Sequence, residues 1–265
     1  MEISKLFNYA APYKYYLIDT HYKSDSISTK GGGGGRSLKK FYDEFCQYVF
    51  DINLTYIDDV KHFPLVHNEE SNKATIAIAL SRLTPYVISE YGADCKDVDL
   101  GERLKNRRRI DFWCSEKNQK YDIWIEFKHL YFNVAKRARW EFDARNKECI
   151  KEALEQIQDI EKLKKKKRLS EWNDFKLALF SVNVYCKKSS LPSDEELKDA
   201  PQYVLDSLKE TVTEFLGAKK QFGVLCAVLD LSPSIDTNEE DTYHTYTRDE
   251  YMPFVLLCGV VVGKE

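Results

Sequence analysis

The sequence predicts a mixed α/β protein, because segments with helical periodicity of apolar residues alternate with short strand-like runs. Ahead of the longest helical stretch, apolar positions recur every second residue in three runs, at 93–100, 107–114 and 121–128. Polar turn residues separate these runs, which is typical of a three-stranded meander. The helical stretch follows at about 144–167, and a strand-like run occupies 175–186.

A further helix is predicted before the meander, at residues 70–83, where apolar residues again repeat at helical spacing. Thr84 and Pro85 fit a helix cap followed by a first-turn proline, so we expect the helix to restart or kink there and to continue to Tyr91. The predicted order of elements is therefore helix, three-stranded meander, helix, strand.

Residues 1–69 are predicted to form an N-terminal helical extension, with an amphipathic helix at about 38–50. Within this extension, residues 24–36 are polar and include five consecutive glycines, so we expect a flexible linker. Residues 70–265 are predicted to form the core with a C-terminal α/β elaboration. That elaboration contains one helix and two buried strands, at 201–216, 223–231 and 253–263.

Composition predicts a protein with a substantial core and reduced cysteines. A chain of 265 residues with 43% hydrophobic content can bury a substantial core, and a formal net charge of -3 means that any nucleic-acid contact must come from local basic patches. Its seven scattered cysteines include no C-x-x-C pair, which indicates reduced thiols. The longest apolar run, 254–263, is too short to cross a bilayer, so we expect a cytoplasmic protein without a membrane partner.

Three charged residues lie in an unusual apolar context. Asp111 is enclosed by apolar residues in one predicted strand, and Glu126 and Lys128 lie in the next. Strand alternation places Glu126 and Lys128 on one face, and Asp111 is expected on that same face. The opposite face of the first strand, with Ile110, Phe112 and Cys114, is expected to be core.

This arrangement resembles a known signature. Asp111, fourteen intervening residues and Glu126-x-Lys128 are similar to the D…(D/E)-x-K motif of the PD-(D/E)XK, or restriction-endonuclease-like, nucleases. Ile110 stands where that family often has proline. The predicted order of elements over residues 70–186 is also similar to the family core.

The resemblance implies a metal-dependent nuclease that hydrolyses phosphodiester bonds, with DNA as the expected partner, in restriction, repair or defence. In the family the two acids bind one or two divalent ions, Mg²⁺ or Mn²⁺, and the lysine orients or polarises the attacking water. The resemblance therefore assigns the metal to Asp111 and Glu126 and the water to Lys128. Hard divalent ions prefer such carboxylate oxygens.

Many family members add an acid from the first core helix. Glu70 is the first choice here, with Glu69 and Glu90 as alternatives, and all three also fit solvated charges at helix ends. The E-x-K pattern is weak by itself, because Glu196 and Lys198 repeat it in a polar stretch without strand character.

Two basic runs flank the predicted site and are expected to bind phosphates. A solvated surface explains either run equally well. No zinc finger or helix-turn-helix is recognisable. The residues of the two runs are Arg107, Arg108 and Arg109, and Lys136, Arg137 and Arg139.

Other functions remain open from the sequence. The same scaffold would also serve a catalytically silent or partner-activated nucleic-acid-binding or interaction module, as a homo-oligomer or with a partner subunit. Glu126 and Lys128 would also fit an ordinary surface ion pair. Trp113 and Trp124 fit either a nucleotide cleft or core packing. A glycosidase is a much weaker hypothesis than either of these functions, because its mechanism gives Lys128 no role.

Overall fold

The computed structural model describes residues 13–27, 34–60, 62–92, 109–116, 121–164, 173–217, 220–232 and 250–263. Within these ranges the chain forms seven strands and five α-helices, which confirms the α/β class. The elements in chain order are β1 (Lys14–His21), α1 (Gly35–Val60), α2 (Glu69–Leu83), β2 (Val87–Gly92), β3 (Arg109–Glu116), β4 (Tyr121–Asn133), α3 (Ala144–Lys164), β5 (Asn173–Lys187), α4 (Asp194–Lys198), α5 (Ala200–Leu216), β6 (Phe222–Asp230) and β7 (Glu250–Val262).

All seven strands join one mixed sheet in the order β1-β6-β7-β5-β4-β3-β2. β2, β3 and β4 form an antiparallel meander, and β3 and β4 lie in the second and third of the predicted strand runs. β4 and β5 are parallel, in register from Tyr121 opposite Asn173 to Asn133 opposite Tyr185. A parallel pair needs a long crossover, and α3 supplies it. The predicted order of helix, meander, helix and strand is therefore present as α2 to β5.

Helices cover both faces of the sheet. α1 and α2 enclose one core, which includes Phe45, Ile76 and Phe127. The other face packs on α3 and α5, through residues such as Leu154 and Leu208. Because the central strands are buried on both faces, β6 and β7 have nearly continuous apolar sequences. Among the helices that the structure describes, none is long and apolar enough to span a membrane.

The predicted continuation of the second helix to Tyr91 is wrong. α2 ends at Leu83, Thr84 adopts an extended conformation with φ −146° and ψ 142°, and β2 begins at Val87. The ring of Pro85 disfavours a helical conformation in the residue before it, which is consistent with the end of α2 at Leu83. β2 is the first strand of the meander, whereas the predicted first run, 93–100, lies outside the described residues.

The N-terminal extension was predicted to be helical, but it also contains a strand. Residues Lys14–His21 form β1, which pairs with β6 and so satisfies its backbone groups at the sheet edge. α1 is longer than expected and packs into the same core as α2. Residues 28–33 of the predicted linker lie outside the described residues. The division at residue 69 stays a prediction. At the other end of the chain, β7 inserts between β5 and β6.

Candidate active site

The three residues of the sequence motif lie where β3 and β4 stop pairing regularly. The antiparallel register runs from Glu116 opposite Tyr121 to Phe112 opposite Ile125. At the next position the backbone N–H of Phe127 donates to Oδ2 of Asp111 at 2.8 Å. The carboxylate of Asp111 therefore takes the place of a backbone acceptor, which anchors it beside Glu126.

The alternation of β3 breaks at Asp111. Ile110 packs with Trp124 on the α3 side of the sheet, whereas Phe112 lies in the core with α1 and α2. The prediction that Ile110 and Phe112 share a face is therefore wrong. On the neighbouring strand Glu90, at the same level, has a φ of 51°. Such local irregularities in paired strands redirect side chains, and here they turn Asp111 toward β4.

Both faces of the sheet are core at this point, so the charges do not lie on an exposed face. Trp124 packs against Ile157 and Ile160 of α3 and is 2% exposed. Core packing is therefore the role of Trp124, and Trp113 contacts it edge-on at 6.4 Å between ring centroids. The buried surroundings make an ordinary surface ion pair between Glu126 and Lys128 a poor description.

Glu126 is a buried carboxylate whose two oxygens differ in their contacts. Oε1 lies 3.1 Å from Nζ of Lys128, while Oε2 is buried and has no hydrogen-bond partner among the described residues. Burial and the charge of Asp111 raise the pKa of Glu126 from 4.5 to about 7, although Lys128 opposes the rise. A buried acceptor without a partner is costly and uncommon, and strongly shifted carboxyl groups concentrate at functional sites.

Lys73 of α2 joins the site, which sequence reasoning missed. Its Nζ lies 2.8 Å from Oδ1 of Asp111, and within 3.3 to 3.6 Å of a carboxylate oxygen of Glu69, Glu70 and Glu90. Burial lowers the pKa of Lys73. The hydrogen bond to Asp111 and the negative charges of Asp111, Glu69 and Glu70 raise it by more, so the pKa lies above the ordinary value of a lysine. The helical spacing to Glu69 and Glu70 was visible in the sequence, but the contact with Asp111 was not.

The two acids at the start of α2 differ in position. Asn68 caps this helix by accepting the backbone N–H of Ser71 at 3.0 Å, which places Glu69 and Glu70 in the first turn. The side chain of Glu69 is 32% exposed and lies 3.8 Å from Lys128 as well as 3.4 Å from Lys73. Glu70 is 80% exposed and, among the described residues, pairs with Lys73 alone. Glu69 is therefore the helix acid that links the two lysines.

The first basic run is only partly described. Arg107 and Arg108 lie outside the described residues. Arg109 begins β3, is 55% exposed, and its Nη1 lies 3.9 Å from Oε2 of Glu90. Because Glu90 also contacts Lys73, Arg109 lies at the rim of the site.

The second basic run lies at the far end of β4. Lys136, Arg137 and Arg139 are exposed in the loop after this strand. Arg139 lies 3.8 Å from Glu141. The end of β4 is five residues beyond Lys128, or roughly 16 Å at the rise of an extended strand. The loop is therefore not part of the cluster around Asp111.

His129 connects α2 to the sheet beside the site. Its ring nitrogens lie 3.4 Å from the amide nitrogen of Asn72 and 3.3 Å from that of Asn183. Burial, with a smaller contribution from His67, lowers the pKa of His129 from 6.5 to about 4. His129 therefore stays neutral at neutral pH and holds α2 against β4 and β5.

Acid is expected to destabilise the protein through His129. Between pH 6.5 and about 4 the unfolded chain binds a proton that the folded protein does not, so stability falls as the pH is lowered through this window. The full shift corresponds to about 3 kcal/mol. Urea unfolding at pH 7, 6, 5 and 4 measures it, and the difference between wild type and His129→Gln should shrink as the pH falls. The matched control His62→Gln, at an exposed position, should keep the wild-type slope; a parallel slope in His129→Gln would contradict the assignment.

A groove of about 560 Å³ adjoins the site. Glu69, which lies near both lysines, contributes to its wall. Burial raises the pKa of the groove-lining thiol of Cys149, and Lys128 is near enough to oppose that rise. The site therefore opens into a cavity large enough for a ligand.

Comparison of this chain with protein-family models, curated proteins and solved structures finds no match. The chemistry of the site therefore has to be argued from its own residues. These are two buried carboxylates, two lysines and one helix acid, namely Asp111, Glu126, Lys73, Lys128 and Glu69.

Proposed function

We propose that this protein is a metal-dependent nuclease that hydrolyses phosphodiester bonds in DNA. The observation that carries the proposal is the buried pair of Asp111 and Glu126, held beside two lysines, with Oε2 of Glu126 lacking a partner among the described residues. The order from α2 to β5, with β4 and β5 parallel, supports assignment to the restriction-endonuclease-like core. A cytoplasmic role in restriction, repair or defence is part of the same proposal.

The residues present fit a hard divalent ion. Among the described residues no group of three or more His, Cys, Asp or Glu side chains is placed to hold a metal, but Mg²⁺ commonly binds through one or two carboxylates with substrate phosphate and water. Oε2 of Glu126 has no hydrogen-bond partner in the described part of the chain and would be available as a ligand, and Oδ1 of Asp111 faces a cation, the ammonium of Lys73. When bound there, Mg²⁺ or Mn²⁺ would supply Lewis-acid catalysis.

The protein groups have separate tasks in this proposal. Asp111 and Glu126 would hold the ion, and their anchoring by Phe127 N–H and Lys128 fixes their oxygens before substrate arrives. Lys128 orients the attacking water and stabilises negative charge that develops on the phosphate. Lys73 neutralises the site before the ion binds. Glu69 takes the place of Glu70 as the helix acid, because it lies near both lysines.

Cleavage assays with matched variants test the proposal. Asp111→Asn, Glu126→Gln and Lys128→Met should each reduce Mg²⁺- or Mn²⁺-dependent cleavage of plasmid and linear DNA at least about 100-fold, in line with the loss of electrostatic stabilisation in other enzymes. EDTA should abolish it. The chain offers its own control, since Glu196→Gln and Lys198→Met alter the same E-x-K pattern on α4 and should leave the rate unchanged. Equal loss in the control variants, or full activity in Asp111→Asn, would refute the proposal.

A second function is favoured by one specific contact. Because Lys73 pairs with Asp111 at 2.8 Å, the charge of Asp111 is balanced without a metal, which suits a silent or partner-activated nucleic-acid-binding module. DNA binding that is unaffected by EDTA, with no cleavage by folded wild type in Mg²⁺ or Mn²⁺, would favour this alternative.

A further inference from the structure

The groove beside the candidate site has an aromatic wall. Its side chains include His129, Tyr131 and Tyr185. The rings of His129 and Tyr131 meet edge-to-face at 4.8 Å between centroids, and those of Tyr131 and Tyr185 do so at 6.1 Å. This aromatic wall therefore runs from the residue next to Lys128 across β4 to β5. Aromatic side chains of this kind bind unpaired bases by stacking, whatever the sequence.

Among the described residues that line the groove, the cation is Arg145. Arg145, in the first turn of α3, lines it and is exposed, and it forms no ion pair with any described residue. Arg145 and Lys128 both oppose the burial that raises the pKa of Cys149, so both cations lie near that thiol. A guanidinium at this position can bind one phosphate next to the phosphate at Lys128.

Carboxylates limit how much negative charge the groove accepts. Asp143 and Glu250 line it. Burial raises the pKa of Tyr185, and the negative charges of Glu250 and Asp143 add to that rise. A ligand with several phosphates would be repelled there. The amino group of a base, by contrast, can donate to such carboxylates. With its volume of about 560 Å³, the groove suits one nucleotide unit and not a duplex.

We propose that this groove holds one unpaired nucleotide of a DNA strand, with its base against the aromatic wall and its phosphate at Arg145. The inference rests on the proposed function for the scissile phosphate at Lys128, and it extends that function by naming the substrate class. The substrate is DNA with a single-stranded segment or end, and fully paired DNA binds only through its backbone.

Fluorescence anisotropy in EDTA tests this without catalysis. The probes are a dye-labelled blunt duplex and the same duplex with a short single-stranded overhang. Wild type should bind the overhang about tenfold more tightly, the range expected for one stacked base. Tyr185→Leu and Arg145→Gln should remove that preference, so that each variant binds the two probes with equal affinity. The control Tyr203→Leu replaces a tyrosine that is 50% exposed on α5 and does not line the groove, so it should keep the preference.

Each outcome decides between the proposals. Equal affinity for both probes, no binding of either, or an equal loss for both probes in Arg145→Gln would overturn the groove assignment. Arg145 is exposed, so its variant tests the groove even where Tyr185→Leu does not fold. An overhang preference without cleavage in any metal would leave the groove in place and refute the nuclease. Metal-dependent cleavage without overhang preference would support the nuclease and refute the groove assignment.

Discussion

Lys73→Met is expected to destabilise the protein by about 3 kcal/mol in EDTA at pH 7, at the lower end of the range for breaking a buried ion pair. The side chains of Lys73 and Asp111 are 17% and 9% exposed, so little water can replace the lost partner. Methionine keeps the apolar stem of lysine, so the loss measures the ion pair and not the packing. Urea unfolding measures the change.

Two comparisons make the Lys73 result specific. In an Asp111→Asn background the same substitution should cost less than about 1 kcal/mol, because the buried charge is gone. The control Lys151→Met breaks an exposed pair with Glu148 on α3 and should cost nearly nothing. A loss in Lys73→Met no larger than in this control would contradict the burial argument.

Divalent ions extend the same experiment. If Lys73 and the ion compete for Oδ1 of Asp111, Mn²⁺ should stabilise Lys73→Met more than it stabilises wild type. Equal stabilisation would place the ion away from Asp111.

Glu126→Gln is expected to stabilise the protein by about 3 kcal/mol above pH 7 in EDTA, although the same variant should lose the proposed metal-dependent cleavage. The fold holds Glu126 buried with Oε2 unpartnered among the described residues, and its pKa is raised from 4.5 to about 7. Between these values the unfolded chain is ionised and the folded protein is not, so wild type loses stability as the pH rises through this window. Glutamine removes that loss and keeps the shape of the side chain.

The pH dependence separates this effect from ordinary packing. The gain in stability of Glu126→Gln over wild type should vanish below pH 4.5, where Glu126 is protonated in both the folded and the unfolded protein. The exposed control Glu152→Gln on α3 should show no such dependence. A variant that is less stable than wild type at pH 8 would mean that the contact with Lys128 outweighs the cost of burying the charge.

Local patterns in the sequence were sufficient for much of the fold and for the centre of the site. Glu126 and Lys128 are two residues apart on one strand, so alternation alone places them together, and Nζ and Oε1 do lie 3.1 Å apart. The apolar runs of β5, β6 and β7 indicated buried strands, because a strand covered on both faces needs no polar positions.

Contacts between distant segments were decided only by the tertiary structure. Lys73 meets Asp111 because α2 packs across the end of the β3–β4 pairing, and no local pattern encodes that packing. β1 pairs with β6 across more than 200 residues, which hydrophobic periodicity does not register. Thr84 and Pro85 suit either a helix start or a helix end, so the choice came from β2 pairing with β3.

The sequence by itself determined the order of elements from β3 to β5 and the pairing of Glu126 with Lys128, because both depend on residues close together in the chain. The tertiary structure alone decided that Glu69 lies between the two lysines, that Ile110 changes face, and that the groove opens beside Lys128. Those features depend on how a helix and two strands approach one another in space, and such an approach is set by the packing of the whole core.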